Sequence, residues 1–277
     1  MIFYTHPPSQ YLSEYVRFFW VLEGTERLTF PFIHRATAEC CQELIFYYKG
    51  EVKAYRSESI AEKTFSSGLY AQSQSCRKFQ IDNGFGMLGV YLYPHTSPLL
   101  FNIPADRISN YNVDLSTLFG NEGAVLEDKV MCAATNLKRI ELISDFLERK
   151  LSEPKRRSAY LSSCIRQSIV KGIAPSVSDM ADACNLSVRQ LERDFKTLSG
   201  FSPRLFSKLI RFRHLLENVP DKLLSMTDLA YEYDYYDQSH FINEFKRFTG
   251  LTPTQYFIDR ADASNERTTS ETTANVI

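Results

Sequence analysis

The chain has no apolar run of membrane-spanning length, and no basic start leading into an apolar stretch at Met1. A spanning helix needs about 20 consecutive apolar residues. A cytoplasmic protein with no secretory leader and no membrane partner is therefore expected. None of its six cysteines stands in C-x-x-C spacing, and Cys40 and Cys41 are adjacent; these read as reduced thiols rather than disulfides. H-x-H and H-E-x-x-H are also missing. His34, Glu39, Cys40, Cys41 and His95 come nearest to a ligand set, but in no known spacing, so no metal and no cofactor is expected. G-x-S-x-G does not occur, which leaves no nucleophile for a hydrolase and no catalytic residue to name. Lys and Arg number 32 against 33 Asp and Glu, a net charge of −1. Bulk electrostatics thus favour neither nucleic acid nor a membrane surface. No heptad seam marks a dimer interface.

What the chain does contain is a repeat. Met180–Phe195 followed by Gly200-Phe201-Ser202-Pro203 returns as Leu229–Phe245 followed by Gly250-Leu251-Thr252-Pro253. A repeat of this size is one supersecondary unit used twice, here helix, turn, helix. In the first copy Ser178 is placed to cap a short helix to about Cys184, and Asn185-Leu186 makes the turn. Ser187 and Gln190 then form a capping box on a second helix. Leu191, Phe195 and Leu198 share its inner face, with Cys184 a small core residue. Gly200 ends that helix in the left-handed region, and Ser202-Pro203 starts the next one. In the second copy Ser225 or Thr227 opens a helix to about Tyr233, and Asp237 caps the following one. Phe241, Phe245 and Phe248 are its buried stripe, Gly250 closes it, and Thr252-Pro253 starts a last short helix through Tyr256. Between the copies, 202–219 reads as one amphipathic helix that holds the units apart.

The chemistry that needs this arrangement is base reading. The major groove admits one helix, whose Arg side chains read guanine and whose Asn or Gln side chains read adenine. Contacts come from the N-terminal residues of the second helix of each unit. Arg189, Arg193, Gln238 and Asn243 are suitable types at suitable places. Lys196, Arg211, Lys246 and Arg247 suit phosphate, which positions without specifying. The stretch 159–260 resembles the DNA-binding domain of the AraC/XylS family of bacterial transcription regulators, most plainly in Asp237-Gln238-Ser239-His240-Phe241-Ile242-Asn243-Glu244-Phe245-Lys246-Arg247-Phe248-Thr249-Gly250-Leu251-Thr252-Pro253. The resemblance implies seven helices, with two recognition helices in successive major grooves. It implies base reading by Arg189, Glu192 and Arg193 in the first unit, and by Gln238, Ser239, His240 and Asn243 in the second. Ser187 joins the phosphate set. Activation of transcription is commoner than repression in the family, and RNA polymerase is a possible partner. Asp234 stands where the family usually has Gly, a substitution that Asp tolerates at small cost. Glu192 and Asp194 put acid on the first recognition helix, and the domain as a whole is not basic.

The front half has strand character up to about Asn112. Candidates are Tyr15–Leu22, Glu43–Tyr48, Gly68–Ala71, Arg77–Ile81 and Met87–Tyr93; Tyr11–Phe19 fits a helix equally well. Short helices are expected at Ser97–Phe101 and Leu115–Phe119, and longer ones at Glu122–Ala133 and Asn136–Leu151. Glu153–Ser158 reads as a polar linker. The pieces Tyr15–Trp20, Glu43–Phe46, Gly89–Pro94 and Asn112–Gly120 resemble the sensor domain that precedes this DNA-binding domain in many family members. That implies a barrel-like module for a small-molecule effector, for homodimerisation, or for both. The expected class is α+β: a β-rich sensor domain over 1–152, an all-α domain with two helix-turn-helix units over 158–260, and a disordered tail over 261–277. Two other readings compete with a regulator. One is a helical adaptor for a partner protein, and the other is a β-barrel enzyme with an appended DNA module.

Overall fold

The computed structural model describes residues 2–24, 32–55, 61–62, 65–81, 84–151, 156–218, 226–233 and 235–258. The front half holds ten strands among the described residues: β1 Ile2–His6, β2 Val16–Gly24, β3 Phe32–Ala36, β4 Gln42–Lys49, β5 Val52–Tyr55, β6 Ala61–Glu62, β7 Ser67–Tyr70, β8 Arg77–Ile81, β9 Phe85–Leu92 and β10 Asn112–Asp114. They form two antiparallel sheets, ordered β1-β2-β9-β4-β7-β10 and β3-β8-β5-β6. The sheets face each other without closing into a barrel. Alternation along the strands decides what each face covers. Phe19, Val21, Leu44, Phe46, Leu88 and Val90 face helices, whereas Trp20, Leu22, Ile45, Tyr47 and Met87 face the smaller sheet. Strand β9 is buried along its whole length, as expected of a central strand covered on both sides. Its Gly89 leaves the space in which the Trp20 indole lies.

The helices of the front half are α1 Ser97–Leu100, α2 Ala105–Ile108, α3 Leu115–Phe119, α4 Asn121–Cys132 and α5 Asn136–Lys150. Asp114 caps α3 by accepting from Thr117 N, and Thr135 caps α5 by accepting from Lys138 N. These helices cover one face of the six-stranded sheet through Leu126, Val130, Ile140, Ile143 and Phe146.

The second half is helical: α6 Arg156–Lys171, α7 Val177–Ala183, α8 Val188–Ser199, α9 Pro203–Asn218, α10 Met226–Glu232 and α11 Gln238–Thr249, with a last helical turn over 253–258. Its core stacks aromatic rings edge to face. Phe212 meets Phe245 and Phe248 at centroid distances of 5.4 and 5.0 Å, and Phe195 meets Phe206 at 5.1 Å. Such pairs add about 0.5–1.5 kcal/mol beyond their buried area.

Several expectations are corrected. Tyr11–Phe19 is neither all helix nor all strand: a 3-10 turn at Leu12–Glu14 hands over to β2 at Val16. The expected linker runs into α6, which begins at Arg156. The cap of α7 is Ser176, which accepts from Asp179 N, while the Ser178 hydroxyl lies 2.9 Å from that of Ser176. Thr227 lies inside α10. Ser225, Asp234 and the tail 261–277 fall outside the described residues. Strands β1, β3, β5, β6 and β10 have no counterpart in the sequence reading.

Candidate nucleic-acid interface and the junction behind it

Each unit presents a capped, exposed helix. In α8 the Ser187 side chain accepts from Gln190 N while the Gln190 side chain accepts from Ser187 N, the full capping box. Asn185 adopts φ 53° in the turn before it. Leu191, Phe195 and Leu198 are buried, so Arg189, Glu192, Arg193 and Lys196 are turned outward and exposed. In α11 Asp237 Oδ1 accepts from His240 N at 2.7 Å. Phe241, Phe245 and Phe248 are fully buried, which leaves Gln238, Ser239, His240, Asn243, Lys246 and Arg247 exposed. All seven expected base-reading side chains are thus solvent-facing, on helices whose first turns are fixed by side-chain caps worth about 1 kcal/mol each.

The expected phosphate set divides. Ser187, Lys196 and Lys246 are exposed. Arg211 is half-buried, with its guanidinium 4.4 Å from the Tyr235 ring centre and Nη2 3.4 Å from Glu244 Oε1. Glu244 is itself buried and also takes Lys208, so Arg211 helps hold α9 to α11. Arg247 Nη2 donates to Gln74 Oε1 of the front domain at 2.8 Å.

That last bond belongs to a wider junction. Ala38 N donates to Phe248 O at 2.8 Å, which satisfies one of the open carbonyls at the end of α11. Ser109 Oγ donates to Gly200 O at 3.0 Å, at the corresponding end of α8. Behind Ser109 runs a buried polar chain. Gln72 Nε2 donates to Ser109 Oγ and to Ala105 O; Gln42 Nε2 donates to Gln72 Oε1; Ser97 Oγ donates to Gln42 Oε1. Gln42, Gln72 and Ser97 are fully buried, where an unpaired group would cost about 1–3 kcal/mol. Ala38, Cys40, Cys41, Tyr91 and Tyr93 share one apolar cluster with the helices of the second half. Segment 72–76 therefore lies against the ends of both α8 and α11, at Gly200 and at Gly250.

The segment leading into β4, Glu39-Cys40-Cys41, also enters this junction. Glu39 Oε1 accepts from Cys40 N at 2.7 Å, Cys41 N at 3.1 Å and Cys40 Sγ at 3.2 Å. Burial pushes the Glu39 carboxyl up, but the Arg213 guanidinium of α9, Tyr91 and Cys40 more than reverse this and hold it below the usual carboxylate range. The Cys41 thiol beside it, burial and the Glu39 charge all push the Cys40 thiol up. Of the five possible ligands read from sequence, these three come together; His34 packs on Phe79 and His95 on Tyr93. Two residues further, Glu43 turns between the sheets, where burial, helped by the Glu39 charge, raises its carboxyl to about 7. The junction residues Gln42, Gln72, Ser109 and Arg213 were missed in the sequence. Their one trace is a glutamine at the inward position of the apolar strand that starts at Gln42.

Comparison with known proteins fits this geometry. Residues 180–258 match the model of a helix-turn-helix domain, and residues 4–114 match a domain of unknown function (DUF6597). The helix-turn-helix part is 35% identical over 77 residues to the HTH-type transcriptional activator RhaS of Enterobacter sp. (strain 638). This match supports the resemblance of the helix-turn-helix part to AraC/XylS regulators. The same part is also 34% identical over 84 residues to the HTH-type transcriptional regulator MtrA of Neisseria gonorrhoeae. The aligned part is 27% of this chain and of RhaS, and 29% of this chain and 27% of MtrA, so the likeness to these relatives covers about a quarter of their length. Among solved structures, ToxT from Vibrio cholerae O395 aligns over 86% of this chain and 97% of its own, at 13% identity and a TM-score of 0.43. No helix among the described residues is long and apolar enough to cross a membrane.

Proposed function

We propose that the protein is a sequence-specific DNA-binding regulator of transcription, with α8 and α11 docking in successive major grooves of one duplex. The observation that carries this is the pair of capped helices with Arg189, Glu192, Arg193, Gln238, Ser239, His240 and Asn243 exposed on their outer faces. Arg189 and Arg193 read guanine; Glu192 accepts from a cytosine amino group; Gln238 and Asn243 read adenine. Lys196, Lys246 and Ser187 hold phosphate, joined by Arg247 when it leaves Gln74. Activation through RNA polymerase and pairing of two copies belong to the same reading, supported by the activator named among the relatives.

The front domain sets whether the two helices are held in a DNA-compatible arrangement. It touches both of their C-terminal ends, so any change in how 38–41 and 72–76 sit shifts α8 and α11 together. A small-molecule effector acts by binding two arrangements of this junction unequally. Its place is between the sheets, where Glu43 and the buried pair Tyr47 and Tyr70, hydroxyl to hydroxyl at 3.1 Å, supply polar groups among apolar ones.

The test is half-site binding. Arg193→Ala should weaken affinity by about 5- to 150-fold, from a base contact of about 1–3 kcal/mol, for changes confined to one block of the site. Asn243→Ala should do so for the other block, with unfolding midpoints unchanged. Equal, sequence-blind losses from both, or none, would remove the base-reading assignment and leave a protein-binding adaptor.

A further inference from the structure

The Glu39-Cys40-Cys41 cluster lies outside both the DNA-reading face and the space between the sheets. One ligand atom from each of the three residues lies within 4.8 Å of the others. Cys40 and Cys41 are 1% and 2% exposed. Two further buried groups stand beside them. Arg213 is 8% exposed; its Nε donates to Glu217 at 2.8 Å, but its Nη1 is buried with no hydrogen-bond partner. Tyr91 is 5% exposed, and its hydroxyl faces the Glu39 carboxylate. Both adjoin Glu39, Cys40 and Cys41. An orphaned guanidinium donor beside two thiols is costly as it stands. It becomes satisfied if a thiol turns into a thiolate, which accepts hydrogen bonds.

We propose that Glu39, Cys40 and Cys41 form a binding site for a thiophilic divalent cation, with Arg213 donating to the bound thiolates. Soft thiolate ligands select ions of the zinc and cadmium class. Charge supports the same choice. With an ion, two thiolates and one carboxylate meet a dication and the Arg213 guanidinium, so the loaded buried site is neutral. Each sulfur exchanges its S–H bond for an S–metal bond, and two protons leave to solvent. Three protein ligands leave one position of a tetrahedron open. Arg213 stands on α9, the helix between the two reading units, so the ion would lock the front domain to the DNA-binding domain. The inference does not depend on the DNA-reading proposal, because ion binding is measured without DNA.

The test uses the reduced, full-length protein under anaerobic conditions, with Cd(II) and Zn(II) as probes. After desalting, one ion per chain is expected, with the ultraviolet thiolate-to-cadmium band. Cys40→Ser and Cys41→Ser should each lose the band, whereas Cys132→Ser, at an exposed and remote thiol, should keep it. Glu39→Gln should keep the band and weaken binding by at least about tenfold, in line with the effect of losing a carboxylate ligand or its support. Should the serine variants fail to fold, the wild-type chain decides by differential alkylation. Cadmium should further slow the alkylation of Cys40 and Cys41, which reach reagent only when the buried site opens, and leave the exposed Cys132 as reactive as before. No retained ion, a band that survives Cys40→Ser and Cys41→Ser, or uniform shielding of all six thiols would overturn the proposal.

Discussion

Two glycines in equivalent positions offer a controlled measurement of the domain junction. Gly200 and Gly250 end α8 and α11 with nearly the same left-handed backbone, φ +84° and +78°. Alanine at either place carries the same backbone cost, about 1–2 kcal/mol. Their surroundings differ. A methyl group at Gly250 would meet Cys76 Cβ at 3.5 Å, an ordinary contact. One at Gly200 would overlap the Gln72 amide and the Ser109 hydroxyl, the last members of the buried polar chain that begins at Ser97. Displacing them leaves at least one buried polar group unpaired, a further ~1–3 kcal/mol. Gly250→Ala should therefore lose about 1–2 kcal/mol of stability, and Gly200→Ala about 2–5 kcal/mol. Urea unfolding of the full chain reads the difference, with circular dichroism for the helices and fluorescence of Trp20, the single tryptophan, for the sheets. In the wild type the two signals should fall together, because one apolar cluster spans both halves. Equal losses from the two substitutions would refute the packing of the front domain on α8.

Other expectations follow from single groups. Asp237→Ala removes the acceptor of His240 N and should cost about 1 kcal/mol of stability, with reduced affinity for the second block of the DNA site; Asp237→Asn should restore most of both. Glu43 is held protonated in the fold, its carboxyl raised to about 7 by burial. The unfolded chain ionises it near the ordinary 4.5, so the stability it contributes is full below that pH and is lost as pH rises through 7. Glu43→Gln should flatten that part of the stability–pH curve and be the more stable form at pH 8. Phe245→Ala, at a fully buried ring beside Phe212, Phe241 and Tyr256, should cost about 3–5 kcal/mol and abolish binding to both blocks by unfolding the helical domain.

The helical half was legible because its signals are local. Ser187 with Gln190, Asp237, and the left-handed Gly200 and Gly250 each announce a helix end within a few residues, and the apolar triplets Leu191-Phe195-Leu198 and Phe241-Phe245-Phe248 fix the inner face. The sequence reading places the cap at Ser178; Ser176 also stands ahead of the same apolar run, and only the backbone shows that it is the one that meets Asp179 N. The strands were legible where both faces are buried, as in β4 and β9. They were not where one face is open: β1 carries exposed Ile2 and Tyr4, and β3 exposed Ile33, so their alternation has no polar partner to reveal it. Strand β10 is three residues long and is held by pairing with β7 alone. The junction was illegible for a different reason. Ser109 and Gly200, or Ala38 and Phe248, meet across long stretches of chain through backbone and hydroxyl groups that any sequence supplies. Glu39-Cys40-Cys41 was visible, but its spacing matches no established ligand pattern, and the Arg213 guanidinium joins it only in the folded chain.

Selection of random duplex DNA by the full-length protein, with the recovered sites re-measured across a salt series, tests the central claim most directly. Two conserved blocks centred about 10–10.5 base pairs apart are the predicted result, with affinity that falls with salt yet keeps its sequence preference. A single block, or retention that is blind to sequence and vanishes with salt, would contradict paired recognition helices.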